Sequence, residues 1–176
     1  MLYMNVGKPM VKLAANCGLA TILTYGQTGS GKTHTITGIE ERVAQDLFRM
    51  ISLSSQQVTI QFIELEGKQC NDLFGEGNVK IVEHEGGSVE VLNALSMEVR
   101  SPNELYEMIR LGKRKRCTEA TDKNGASSRS HAVCQITIAH KKNVRISISQ
   151  SPLYFRIANL ESFNFVDEAT RRADLD

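Results

Sequence analysis

The sequence predicts an α/β protein built on a layered sheet, and three observations carry that expectation. Short apolar runs are rich in β-branched residues, helical periodicity lies between them, and a glycine-rich loop joins the first run to the first helix. With 176 residues, 41% hydrophobic and 23% charged, the chain has the size and composition of a folded unit with its own core.

The elements follow in chain order. Ala20 to Tyr25, ATILTY, is apolar and β-branched, ends at a glycine, and reads as a buried strand. Beyond the glycine-rich loop, Val43, Leu47, Met50 and Ile51 recur at helical spacing within IEERVAQDLFRMI, with acids early and an arginine late, as the helix dipole favours. Gln57 to Glu66, QVTIQFIELE, has apolar residues at both parities, as expected of a central strand covered on both faces. VKIVEHEGGSVEVLNAL gives two short strand patterns around Gly86-Gly87, most simply a hairpin.

Ser101-Pro102-Asn103-Glu104 has the form of a helix start: a capping serine, proline at the first helical position, and a glutamate placed to return a bond to the cap. Leu105, Met108, Ile109 and Gly112 then share one face of that helix. HAVCQITIAH and PLYFRIANLESFNFVD supply further strand-like runs, the last ending at Asp167. No repeat, low-complexity tract or linker divides the chain, so residues 1–176 are expected to form one unit.

Charge excludes some function classes. With 21 basic and 20 acidic residues, composition gives no wholesale attraction to nucleic acid or membrane, and neither is expected as a partner. The densest basic run, Lys113-Arg114-Lys115-Arg116, reads as a solvated helix end. No apolar run reaches the ~18 residues of a membrane span. Cys17, Cys70, Cys117 and Cys134 are scattered, with no C-x-x-C pair and no histidines at metal-site spacing, and read as reduced thiols of a cytosolic protein.

Two segments carry chemistry. In GQTGSGKT, Gly26 and Gly31 frame Gln27, Thr28, Gly29 and Ser30, and Lys32-Thr33 complete a phosphate-binding pattern. Backbone N–H groups of such a loop cradle phosphate oxygens at a helix N-terminus, the lysine reaches the terminal phosphates, and the threonine hydroxyl can bind Mg²⁺. That pattern does not separate kinases, GTPases, helicases and motors. The second segment, NGASSRSHAV from Asn124 to Val133, is dense in groups that bind phosphate oxygens and metal-bound water, and in a chain that also holds the loop it reads as a γ-phosphate sensor.

YGQTGSGKTHT and NGASSRSH together resemble the phosphate loop and first switch of the kinesin motor domain, the latter matching N-x-x-S-S-R-S-H at every defined position. FIELEGKQCNDLF is similar to that family's strand and following Asp-Leu segment, and Arg116 and Thr121 fall where it places an arginine and a threonine. The resemblance implies a P-loop NTPase fold with a central, mostly parallel sheet flanked by helices. It covers the middle of a motor domain, shortened at both ends, with residues 1–176 as the partial domain. It implies ATP or ADP with Mg²⁺ as cofactors, and a microtubule (tubulin) partner whose main contact surface falls beyond this chain. The implied location is the cytoplasmic microtubule cytoskeleton, and the implied activity is a microtubule-stimulated ATPase driving movement.

The implied roles go residue by residue. Lys32 neutralises the β- and γ-phosphates, Thr33 and Ser128 approach Mg²⁺, and His34 lines the adenine pocket. Asn124 and Ser127 close around the γ-phosphate and attacking water, while Arg129 closes on the second switch. The hairpin at Gly86-Gly87 resembles a secondary tubulin-contacting element, with a plain surface hairpin as the other reading.

The second switch departs from the family. FNFVDEATRRA places Asp167 at the pattern's aspartate, but Thr170 stands where the glycine belongs and Arg171 where the glutamate belongs. Threonine resists positive φ, and Arg171 would repel Arg129. Nucleotide binding is therefore expected more firmly than hydrolysis, with a non-hydrolysing, motor-derived nucleotide-binding module as the alternative. A competing placement, IANLES, offers no aspartate and ranks second. The connection between THTITG and IEERVAQDLF is short, which implies that the family's fifth loop is nearly absent.

Overall fold

The structure is a computed structural model that describes residues 1–16, 18–27, 29–67, 69–76, 79–83, 89–122, 130–141 and 153–161. A π-helical segment, Tyr3–Gly7, runs straight into helix α1, Lys8–Ala15, and strand β1, Ala20–Gly26, follows. Helix α2 is Lys32–Met50, and strand β2 is Gln56–Glu66. Short strands β3 (Gln69–Asp72), β4 (Lys80–Glu83), β5 (Val89–Leu92) and β6 (Met97–Val99) come before helix α3, Pro102–Asp122. Strands β7, Ser130–His140, and β8, Leu153–Glu161, complete the described elements.

The main sheet has the order β1-β8-β7-β2-β3, with β6 also pairing β2. Its longest ladder joins β2 to β7 from Gln56↔His140 to Glu66↔Ser130. The expected α/β sheet flanked by helices is present, but the sheet is mixed rather than mostly parallel. Only β1 and β8 run parallel among the described pairs, while β7–β8, β2–β7, β2–β3 and β2–β6 are antiparallel. Chain connectivity explains the correction. β2 returns as β3 through a turn at Gly67, which has φ +59°, and helices between strands produce parallel neighbours only when the strands they join end up adjacent. Here α2 joins β1 to β2, which are separated in the sheet by β8 and β7.

Hydrophobic periodicity puts the core on one face of this sheet. Ile36, Ile39, Val43 and Leu47 of α2 and Leu105 and Ile109 of α3 meet Val58, Ile60 and Phe62 of β2 and Cys134, Ile136 and Ile138 of β7 in a single buried cluster. Each such side chain contributes about 1.5–3 kcal/mol by leaving water. β2 is flanked by strands on both sides and is buried at Phe62, Ile63 and Glu64 in succession, as its two-parity pattern predicted. β1 is not fully buried as expected: Ala20 and Ile22 face the core, whereas Leu23 and Tyr25 are 54% and 55% exposed. The helices packed against β1, α1 and α2, both contribute to the cluster that holds Ala20 and Ile22, so its other parity is left open among the described residues.

Local signals set the helix ends. The Glu104 N–H donates to Ser101 Oγ at 3.1 Å, which caps α3, and Glu104 returns a bond one residue further back, accepting from the Arg100 N–H at 2.8 Å. α2 continues through Gly38 without a break, so THTITG and IEERVAQDLF lie on one helix and no loop separates them. The expected hairpin is there as β4 paired antiparallel with β5, while its turn at Gly86-Gly87 lies outside the described residues. Asp72 pins the loop after β3 by accepting from the Phe74 N–H at 2.9 Å and the Leu95 N–H at 2.6 Å.

The basic run of α3 is the clearest surprise in the charges. It sits inside the helix, which continues to Asp122, and two of its members face inward. Lys113 bridges to the buried Glu40 on α2 and donates to Thr37 Oγ1 at 2.9 Å; Arg116 pairs with the buried Glu64 on β2. Spacing explains the difference: positions 113 and 116 fall on the side that Ile109 and Gly112 turn toward the sheet, so long stems carry their charges to buried acids. Cys70, Cys117 and Cys134 are free thiols, and Cys17 lies outside the described residues.

Candidate functional site

The site is built where β1 ends and α2 begins. The Ser30 N–H donates to the Gln27 carbonyl at 3.1 Å, turning the loop. Gly29 and Gly31 then take φ +83° and +88°, where a side chain would be strained, and a Cβ at either would meet open space. Glycine is needed there for backbone conformation, not for packing. α2 starts immediately, with the Thr35 N–H donating to the Gly31 carbonyl at 2.9 Å, and among the described residues no side chain caps its first turn. Its first N–H groups and the positive end of its dipole are thus directed at the loop.

Lys32 completes the arrangement. It is 7% exposed, unusually buried for a lysine, and its Nζ donates to the Gly26 carbonyl at 2.7 Å and the Gln27 carbonyl at 2.9 Å. The ammonium is therefore folded back across the loop rather than extended into solvent. Thr33 and His34 sit exposed on the first turn of α2. Glycines at positive φ, a helix start with no side-chain cap among the described residues and a cation held across the loop fit the phosphates of a nucleotide and its Mg²⁺.

Of the residues expected at the site, Gly26, Gln27, Gly29, Ser30, Gly31, Lys32, Thr33 and His34 are brought together here. Thr28, Asn124, Ser127, Ser128, Arg129 and Asp167 lie outside the described residues, as do Thr170 and Arg171. The strand beside the loop strand is β8, which carries IANLE of the lower-ranked switch placement, and its last residue, Glu161, is in register with Gly26.

Two charged ties behind the loop were missed from sequence. Glu40 is 3% exposed, and burial pushes its carboxyl up against the opposing pull of Lys113. Glu64 accepts from Arg116 Nε at 3.1 Å and from Ser130 Oγ at 2.6 Å. The available signal was an acid inside an apolar strand, FIELE, and another on the apolar side of a helix, since such residues stay buried only with partners.

Comparison with known proteins agrees with the fold. The kinesin motor domain family model matches residues 1–170, a span that includes Asp167. Diatom spindle kinesin-1 from Cylindrotheca fusiformis is 34% identical over 77% of this chain and 22% of its own length. Kinesin-like protein KIN-UA from Arabidopsis thaliana is 30% identical over 84% of this chain and 17% of its own length. A solved structure of a fast kinesin superposes with a TM-score of 0.78 at 29% identity, covering 96% of this chain and 54% of that one. The chain thus spans a fifth or so of these curated relatives and about half of the solved one. It belongs to the kinesin motor domain family.

Proposed function

We propose that this chain is the central, nucleotide-binding part of an ATP-driven microtubule motor, in which Mg-ATP hydrolysis alters microtubule affinity. The observation that carries the reading is Lys32, buried and folded across a glycine loop that leads straight into a helix start. Lys32 and the N–H groups of Gly26 to Thr33 would hold the phosphates, with Thr33 and Ser128 toward Mg²⁺ and His34 toward the base. Asn124 and Ser127 would orient water at the γ-phosphate, and Arg129 and Asp167 would close the site. Bound Mg²⁺ supplies charge neutralisation for phosphoryl transfer to water, a reaction in which positioning and electrostatics dominate. The microtubule and the cytoplasmic cytoskeleton are the partner and location that go with this reading.

A second reading, a nucleotide-holding module without turnover, is favoured by Thr170 and Arg171 in the second switch. Phosphate release with and without microtubules, for the wild type and for Thr170→Gly/Arg171→Glu, separates the two. The motor reading predicts wild-type turnover that microtubules raise. Turnover in the double variant alone would establish the second reading in its place.

A further inference from the structure

The segment Asn124 to His131 contains a serine without an assigned role, Ser130, and the structure gives it one. Ser130 is the first residue of β7 and is 2% exposed. Its Oγ donates to Glu64 Oε1 at 2.6 Å and accepts from Arg116 Nη2 at 3.1 Å, while its carbonyl accepts from the same Nη2 at 2.8 Å. Arg116 Nε closes the ring on Glu64 at 3.1 Å. The hydroxyl's single hydrogen and an acceptor lone pair are both used, so the position of Ser130 is fixed by three hydrogen bonds to two side chains, one on each of two other elements.

Those elements also reach the phosphate loop. Arg116 lies in the last two turns of α3, and one turn earlier Lys113 ties α3 to Glu40 and Thr37 of α2, the helix that Lys32 and Thr33 open. Arg116 and Thr33 border the same cavity of about 120 Å³. Lys113 thus joins α3 to α2, and one turn further on Arg116 joins α3 to Ser130, the residue that follows segment 123–129.

We propose that Glu64, Arg116 and Ser130 are positioning residues that fix the start of β7 beside the cavity bordered by Thr33, so that discrimination between nucleoside tri- and diphosphate depends on them. The proposal rests on the nucleotide reading above. Energetics point to position over stability: a buried ion pair repays little of its desolvation cost, and its best-attested use is to fix registry. The diphosphate lacks the γ-phosphate, so its affinity rests on Lys32, the loop, Thr33 and His34 and not on these three residues.

The test measures affinities for Mg-ADP and for a non-hydrolysable Mg-ATP analogue, together with thermal melting, for wild type, Ser130→Ala and the double variant Glu64→Met/Arg116→Met. The double variant replaces the pair with apolar side chains of similar length and so avoids an unpaired buried charge. Both variants are expected to keep ADP affinity and to lose about tenfold in the preference for the ATP analogue, a usual size for coupling between sites. A folded variant with unchanged preference, or with both nucleotides weakened equally, would show the network to be structural only and overturn the proposal. Should the double variant fail to fold, Ser130→Ala keeps both charges and decides between the same outcomes. A folded wild type that binds neither nucleotide would instead overturn the nucleotide reading, and this proposal with it.

Discussion

Lys32→Ala is expected to lower Mg-ADP affinity about a hundredfold or more while the protein stays folded. The size follows from what the proposed reading removes, a charge-assisted donor to phosphate in a partly dry site, where truncating one member of such a pair costs about 2–5 kcal/mol. The fold should survive because the loop's shape is held independently of the Nζ by the positive φ of Gly29 and Gly31 and by the Ser30–Gln27 turn. A fluorescent-ADP titration alongside circular dichroism checks both halves. Lys32→Arg tests the geometry: its planar fork cannot reproduce a compact ammonium folded between two carbonyls, so it should restore little of the lost affinity.

Gly112→Val is expected to cost more stability than any surface change in α3, roughly 3 kcal/mol or more, a large share of the roughly 5–15 kcal/mol that holds a domain folded. A Cβ built at Gly112 would lie 2.6 Å from Phe62 Cε1 and closer still to Cδ1. Phe62 cannot easily yield, because it is 3% exposed and its ring packs edge-on against Phe74 with centroids 6.1 Å apart. The contact is the approach of α3 to β2, on which Arg116 and Glu64 also depend. Denaturant unfolding of Gly112→Val, Phe62→Leu and the double variant checks the argument. Partial rescue in the double variant is the expected result, and additive losses would place the cost elsewhere.

Gly112 also shows how far the sequence could be read. Leu105, Met108, Ile109 and Gly112 were placed on one helix face by spacing, and that face does meet the sheet. Spacing could not say that the glycine is there because an aromatic ring occupies its side-chain space. The phosphate loop was legible because its chemistry is local: positive φ at Gly29 and Gly31 and the start of α2 come from adjacent residues. The Ser101 cap was legible for the same reason.

Contacts between distant segments were not legible. Lys113 and Arg116 looked like a solvated charge run because their partners, Glu40 and Glu64, lie 73 and 52 residues away. Strand direction failed on the same ground. The family resemblance implied a mostly parallel sheet, whereas strand direction here depends on which strands meet side by side. The half-exposed β1 has the same origin, since an apolar run reports what a strand can bury and not which of its faces is covered.

The most direct test of the nucleotide site is isothermal titration of the folded wild-type chain with ADP, first with Mg²⁺ and then with the metal chelated. Saturable one-to-one binding that weakens strongly on chelation is the predicted result, because the proposed site has Lys32, the loop amides and Thr33 acting on a metal-bound polyphosphate. A folded chain that takes up no ADP in either condition would contradict the account, leaving a kinesin-family fold whose phosphate loop holds no nucleotide.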